Sequence, residues 1–168
     1  MSERPNAAYR VLFVCLGNIC RSPAAEIIFN AAAAEAGISD RVQADSCGTA
    51  SYHIGQKPDR RMLAALEECG FTYGGHRARQ FRRADFSDFD LIIPQDESNR
   101  RDILALARNG EDAAKVQPMS RWFPQGERLR EVPDPYYGGH EGFLQVIHLL
   151  AAASAALVGD IRKDRPIV

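Results

Sequence analysis

The stretch Val11-Leu12-Phe13-Val14-Cys15-Leu16-Gly17-Asn18-Ile19-Cys20-Arg21-Ser22-Pro23-Ala24-Ala25-Glu26 changes character twice. Val11 to Cys15 is a short continuous apolar run, the pattern of a strand buried on both faces. Ser22-Pro23-Ala24-Ala25-Glu26 reads as a helix start, with Ser22 as the cap, Pro23 in the first helical position and Glu26 near the positive end. That helix runs to about Ala36 and stops at Gly37. Between strand and helix lies a loop whose successive N–H groups converge on one point, where the helix dipole adds positive potential. Such a cradle suits an anion, most naturally phosphate. Gly17 and Asn18 tolerate backbone angles that other residues resist.

Outward from this stretch, strands and helices alternate. Arg41 to Cys47 reads as a second strand and Asp59 to Cys69 as a helix ending at Gly70. Asp90 to Pro94 reads as a third strand, Glu97 to Arg108 as a helix, and Lys115 to Met119 as a short fourth strand. Arg121 to His140, rich in proline and glycine, reads as a long ordered loop before a last helix over Phe143 to Val158. The expected fold is α/β: a single domain with a short, about four-stranded parallel sheet and helices on both faces. Its expected bounds are 10–160, with tails over 1–9 and 161–168. Ligands bind beyond the carboxyl ends of strands in such sheets, which draws attention to Cys15.

The loop lacks the GK[ST] ending of a nucleotide-binding Walker loop and carries a thiol at its base and a guanidinium at its end. A helix N-terminus and an arginine beside a thiol favour the thiolate. Arg21 can grip two phosphoryl oxygens with its planar fork and stabilise charge in the transition state. Amides, arginine and thiolate together describe attack on phosphorus with a phosphocysteine intermediate. A cysteine that merely ends a buried strand is the plainer reading, and the loop context argues against it.

The bulk properties set the class. A net charge of −1 provides no general field for nucleic acid or an acidic membrane surface. No signal peptide precedes Val11, and no stretch reads as a membrane span of roughly 20 apolar residues, so a cytoplasmic protein is expected. The 4 cysteines lie too far apart for a close CxxC pair, and the 4 histidines lack finger-like spacing, so no metal and no disulfide framework is expected.

Cys15-Leu16-Gly17-Asn18-Ile19-Cys20-Arg21-Ser22 resembles the C-x5-R-S signature loop of the low-molecular-weight protein tyrosine phosphatases. The resemblance continues in order through Asp45-Ser46-Cys47-Gly48-Thr49, with Cys47 where the family has alanine, and through His76-Arg77-Ala78-Arg79-Gln80. It extends to Asp88 to Ile93 with Asp96-Glu97-Ser98-Asn99, and to Val132-Pro133-Asp134-Pro135-Tyr136-Tyr137-Gly138-Gly139. It implies hydrolysis of phosphotyrosine and small aryl phosphates with Cys15 as nucleophile, Arg21 as phosphate clamp and Asp134 as general acid, without a cofactor. Leu16, Gly17, Asn18, Ile19 and Cys20 complete the phosphate loop. Ser22 becomes a hydroxyl donor that eases expulsion of the Cys15 thiolate, and Asn18, Ser46 and His76 a supporting hydrogen-bond network. Ile19, Tyr52 and Tyr136 become walls of a slot for a flat phenyl group, and Cys20 a redox partner of Cys15.

The implied partner is a tyrosine-phosphorylated protein, and a monomer is the default expectation where the sequence leaves oligomeric state open. Tyr136 and Tyr137 are also candidates for phosphorylation, which makes a tyrosine kinase a further partner. Relatives acting on phosphoarginine have threonine where Ile19 stands, which disfavours that alternative. Arsenate reduction would need further cysteines near residues 82–100, where none occurs. A noncatalytic phosphate-binding module would be expected to lose Cys15, Arg21 or Asp134. Pro94-Gln95 departs from the family's pattern and bears on the wall geometry, while the arginines at 77, 79, 82 and 83 read as a solvated loop.

Overall fold

The computed structural model describes residues 8–136 and 138–168. The expected N-terminal tail falls mostly outside these residues, as does the phosphorylation candidate Tyr137.

The apolar run Val11 to Cys15, lengthened by Tyr9 and Arg10, forms β1 (Tyr9–Cys15), the central strand of a parallel sheet between β2 (Val42–Gly48) and β3 (Leu91–Pro94). Its side chains alternate between two cores, as the pleat requires. Val11 and Phe13 face the larger core, with Ile28, Phe29, Phe143 and Leu150. Leu12 and Val14 face the smaller one, with Phe81, Phe86, Ile92 and Ile103. The continuous apolar pattern of β1 thus reflects burial on both faces.

The expected fourth strand is reduced to a single parallel bridge between Ile92 and Val116. Pro118 and a 3-10 turn over Met119–Trp122 end the pairing there. The sheet proper has three strands, and β3 is an edge strand. That position accounts for Pro94: the Ile92 N–H already turns away from β1 to the Lys115 carbonyl, so by the strand's alternation the donor missing at Pro94 faces the open edge, while the Gln95 N–H continues the ladder to the Val14 carbonyl at 3.0 Å.

Helix α1 (Arg21–Glu35) follows the loop after β1, and α2 (Arg60–Glu68) follows β2. Two short helices, α3 (Asp85–Asp88) and α5 (Gly110–Ala114), were not anticipated, because a single turn leaves no periodicity to read. Between them, α4 (Glu97–Leu104) is shorter than expected.

The last helix, α6 (His140–Arg162), is longer than expected at both ends and keeps Ile161 buried. Contrary to the sequence reading, it is long and apolar enough to cross a membrane by length and composition. About half of its apolar stretch is buried inside the fold, chiefly against α1, so core packing accounts for that composition.

Phe13 is fully buried, with its ring centroid 5.5 Å from that of Phe29. Phe13→Ala is expected to lower stability by about 3–5 kcal/mol, the cost of a large core cavity. Urea unfolding measures this; a loss below about 1 kcal/mol would show that the site collapses and that this packing is not what holds α1 on the sheet.

Candidate active site

Strand β1 ends at Cys15, opposite Gly48 on β2. The Cys15 and Leu16 carbonyls accept from the Thr49 and Ala50 N–H groups, both at 2.9 Å, so the loop leaves the sheet pressed against β2. Only glycine permits this approach. A Cβ on Gly48 would lie 2.6 Å from the Leu16 oxygen and 3.1 Å from the Asn18 nitrogen, both backbone atoms.

At Asn18 the backbone turns left-handed, with φ of 57°. Its side chain is saturated. Nδ2 donates to Ser22 Oγ at 2.8 Å and to Ser46 Oγ at 3.0 Å, while Oδ1 accepts from His76 Nε2 at 2.8 Å and the Arg79 N–H at 3.0 Å. Asn18, Ser46 and His76 therefore meet as one network, and the bonds require a proton on His76 Nε2. The Asn18 N–H in turn donates to Cys15 Sγ at 3.3 Å.

Ser22 is not the helix cap. Helix α1 begins one residue earlier, and no side chain caps it, which leaves its first amides for an anion. The Ser22 hydroxyl instead lies 3.0 Å from Cys15 Sγ and 3.2 Å from the Cys47 carbonyl oxygen. Because it already accepts from Asn18, its own proton is free for one of these two.

Arg21 is 3% exposed. Its Nη1 donates to Asp96 Oδ2 at 2.6 Å and to the Val132 carbonyl at 3.1 Å, and its Nη2 lies 3.7 Å from Asp134 Oδ2. Burial works against the guanidinium charge, but Cys15, Asp96 and Asp134 outweigh it and hold Arg21 above its ordinary range. Sequence reasoning assigned no role to Asp96. The same carboxylate caps α4 through the Asn99 N–H at 2.7 Å, so the capping box was the only local signal, and its link to Arg21 is long-range.

The acid-bearing loop hangs from Val132, whose N–H bonds the Gln95 carbonyl at 2.8 Å while its own carbonyl takes the Arg21 bond. Two residues on, Asp134 Oδ1 accepts the Tyr136 N–H at 3.0 Å and the carboxylate stays about half exposed, at 46%. Cys15, Leu16, Gly17, Ile19, Cys20, Arg21, Tyr52, His53, Asp134 and Tyr136 line one cavity of about 270 Å³. His53 is an addition to the expected set, found on the turn that carries Tyr52. Pro94 and Gln95 do not line this cavity, so the departure they represent is absorbed at the sheet edge.

A groove of about 830 Å³ lies at the other end of β1, beside Tyr9, Asp90 and the Arg41–Asp164 pair. It is larger but gathers no nucleophile, so the chemistry points to the smaller cavity.

Arg79 corrects the expectation of a uniformly solvated arginine loop. Its guanidinium bonds Asp45 and the fully buried Asp85, each at 3.1 Å, which ties β2 to α3 behind the Asn18 network. Asp45 and Glu26 approach His76 Nδ1 at 3.3 and 3.5 Å. One ligand atom from each of the three lies within 4.8 Å of the others, a grouping by which a cation could be held and which their distant sequence positions concealed. Existing bonds from Arg79 to Asp45 and from His76 to Asn18 favour reading them as part of the hydrogen-bond network.

Burial pushes the Glu26 carboxyl up to about 7, with Asp45 adding, against His76, Ser46 and Arg79. Burial also disfavours the charge on Asp45, but bonds from His76 and the Ser46 N–H, with Arg79, hold it at about 2. The folded state keeps the Glu26 proton where the unfolded chain has released it, so this group's contribution falls as pH rises from about 4.5 to about 7. Asp45 acts below that window: its contribution is complete above about 3.8 and is lost as pH falls towards 2. Glu26→Gln is expected to flatten the decline between about 4.5 and 7 in urea midpoints measured across pH. Parallel profiles for the two proteins would contradict it.

Residues 10–167 match the family model of the low molecular weight phosphotyrosine protein phosphatases. A protein of Synechocystis, slr0328, is 49% identical over 156 residues, covering 92% of this chain and 98% of that one. The low molecular weight protein-tyrosine-phosphatase of Streptomyces coelicolor is 43% identical over 158 residues, covering 93% and 95%. Among solved structures, a protein tyrosine phosphatase of Entamoeba histolytica with Hepes in its active site superposes with a TM-score of 0.90 at 34% identity, covering 95% of this chain and 100% of that one. With the loop, Arg21 and Asp134 arranged as described, these likenesses extend over more than nine-tenths of the chain, and the chain belongs to the low molecular weight phosphotyrosine protein phosphatase family.

Proposed function

We propose that this protein hydrolyses phosphotyrosine in proteins, and small aryl phosphates, through a phosphocysteine intermediate on Cys15. The observation that carries the reading is the shared cavity. Cys15 lies at the base of the loop, the Arg21 guanidinium borders the same cavity, and Asp134 stands on its wall.

In the first step the Cys15 thiolate attacks phosphorus while Arg21 and the loop amides hold the phosphoryl oxygens. The bond from phosphorus to the tyrosyl oxygen breaks, and Asp134 gives its proton to that oxygen. In the second step Asp134 takes a proton from water, the water oxygen attacks phosphorus, and the phosphorus–sulfur bond breaks. The Ser22 hydroxyl, 3.0 Å from Sγ, donates to the departing thiolate. Asp96 acts through Arg21: with Nη1 held by Asp96 and Val132, the fork is oriented before substrate arrives.

Tyr52 and Tyr136 flank the cavity as walls for the aryl group, and Ile19 narrows its base against a guanidinium-bearing phosphate. Cys20 borders the same cavity. Burial, with Asp59 adding, pushes its thiol far up, so it stays protonated and does not compete as a nucleophile. Once a peroxide has oxidised the Cys15 thiolate to the sulfenic acid, Cys20 gives up its proton and attacks that sulfur, and a reversible disulfide forms as water leaves.

Hydrolysis of p-nitrophenyl phosphate without metal is expected to be abolished in Cys15→Ser. On a phosphotyrosyl peptide, Asp134→Ala is expected to lower kcat by about 100-fold or more, the range of positioned acid catalysis. Turnover that survives Cys15→Ser, or a phosphoarginine peptide hydrolysed in preference to phosphotyrosine, would overturn the reading.

A further inference from the structure

Four large hydrophobic residues are exposed among the described residues: Leu16 at 41%, Tyr52 at 72%, Ile54 at 58% and the far-removed Val168 at 58%. Three of the four lie on two segments that border the Cys15 cavity. Leu16 and Tyr52 line the mouth of the Cys15 cavity, and Ile54 sits on the same turn as Tyr52. The aryl walls account for one edge of Tyr52. They do not account for Ile54, which is not among the residues lining the cavity, nor for the outer surface of Tyr52.

The turn is held before any ligand arrives. The Gly55 N–H bonds the Ala78 carbonyl at 2.7 Å, the Gln56 N–H bonds the His53 carbonyl at 2.9 Å, and His53 Nδ1 lies 2.9 Å from Gln56 Oε1. On the cavity side the Leu16 carbonyl is fixed by the Ala50 N–H. The turn that presents Tyr52 and Ile54 is therefore preformed, and through Tyr52 it borders the phosphate site. Single exposed apolar residues are ordinary on a protein surface, but a cluster beside a cavity marks an interaction site.

We infer that the rim formed by Leu16, Tyr52 and Ile54 is a docking subsite for an apolar side chain flanking the phosphotyrosine of a protein substrate. This rests on the phosphotyrosine reading above. A tyrosine side chain that reaches the base of the cavity carries its own backbone to the mouth, so the residues beside it in the substrate lie on the rim. A small aryl phosphate leaves the rim uncovered. An apolar neighbour covers it and removes both surfaces from water.

Matched phosphotyrosyl peptides carrying leucine or serine on either side of the phosphotyrosine test this, with p-nitrophenyl phosphate as the reference substrate. The intact enzyme is expected to favour the leucine peptides in kcat/KM by about fivefold, the effect of burying part of one aliphatic side chain. Ile54→Ser is expected to bring that ratio close to unity without changing kcat/KM for the reference substrate or the serine peptides, and with an unchanged melting temperature. No preference in the intact enzyme, or a preference that survives Ile54→Ser, would overturn the inference while leaving phosphotyrosine hydrolysis intact. A dimer in sedimentation that Ile54→Ser converts to a monomer would assign the rim to a second copy of this chain and overturn it too. Failure to hydrolyse any of these substrates would remove the phosphatase reading itself, and the inference with it.

Discussion

The side-chain amide of Asn18 uses both its hydrogens and both its lone pairs inside the protein. This saturation holds a left-handed residue at the centre of the phosphate loop, and the rest of the site depends on it. Asparagine accepts such angles at small cost, but only the four partners make that conformation the single choice. The four partners come from three segments: Ser22 from α1, Ser46 from β2, and His76 with the Arg79 backbone from the segment after α2. The loop is therefore shaped by the fold as a whole. Removing any one partner would leave one hydrogen or one lone pair of this buried amide unmet, which costs more than the bond itself contributes.

Arg21 carries the second constraint. A guanidinium with 3% of its surface exposed is stable only among partners, and those here are unequal in kind. Asp96 and the Val132 carbonyl occupy Nη1 from the protein side, while Asp134 approaches Nη2 at 3.7 Å from the cavity side. The first pair fixes the fork. The second, longer and half exposed, leaves room for a phosphoryl group to take its place. Gly48 works by the absence of a side chain: any Cβ there would displace the Leu16 carbonyl and with it the whole loop.

Much of this was legible because it was local. The apolar run into Cys15 and the glycine and asparagine of the loop each carry their meaning within a few residues, whereas Asp134 between prolines reads locally as a turn and is singled out only by the family resemblance. What was missed was long-range or too short to show a period. Asp96 reads locally as a helix cap, and nothing nearby reveals that it also holds Arg21. Ser22 has every sign of a cap, yet its hydroxyl turns to Cys15 because Asn18 and Cys47 offer it a better place. Arg79 looks like one charge in a solvated run until the fold brings Asp45 and Asp85 around it. The fourth strand failed because Val116 pairs with Ile92 at one bridge before Pro118 redirects the chain.

The central claim is that phosphorus passes through the sulfur of Cys15. Acid-quenching the enzyme during turnover of a phosphotyrosyl peptide, followed by peptide mapping with mass spectrometry, tests it most directly. The account predicts a phosphoryl group on Cys15, accumulating further when Asp134→Ala removes the base for the second step and an aryl phosphate with a good leaving group is used. Phosphate found on another side chain, or turnover with no phosphoenzyme that persists in Cys15→Ser, would contradict it.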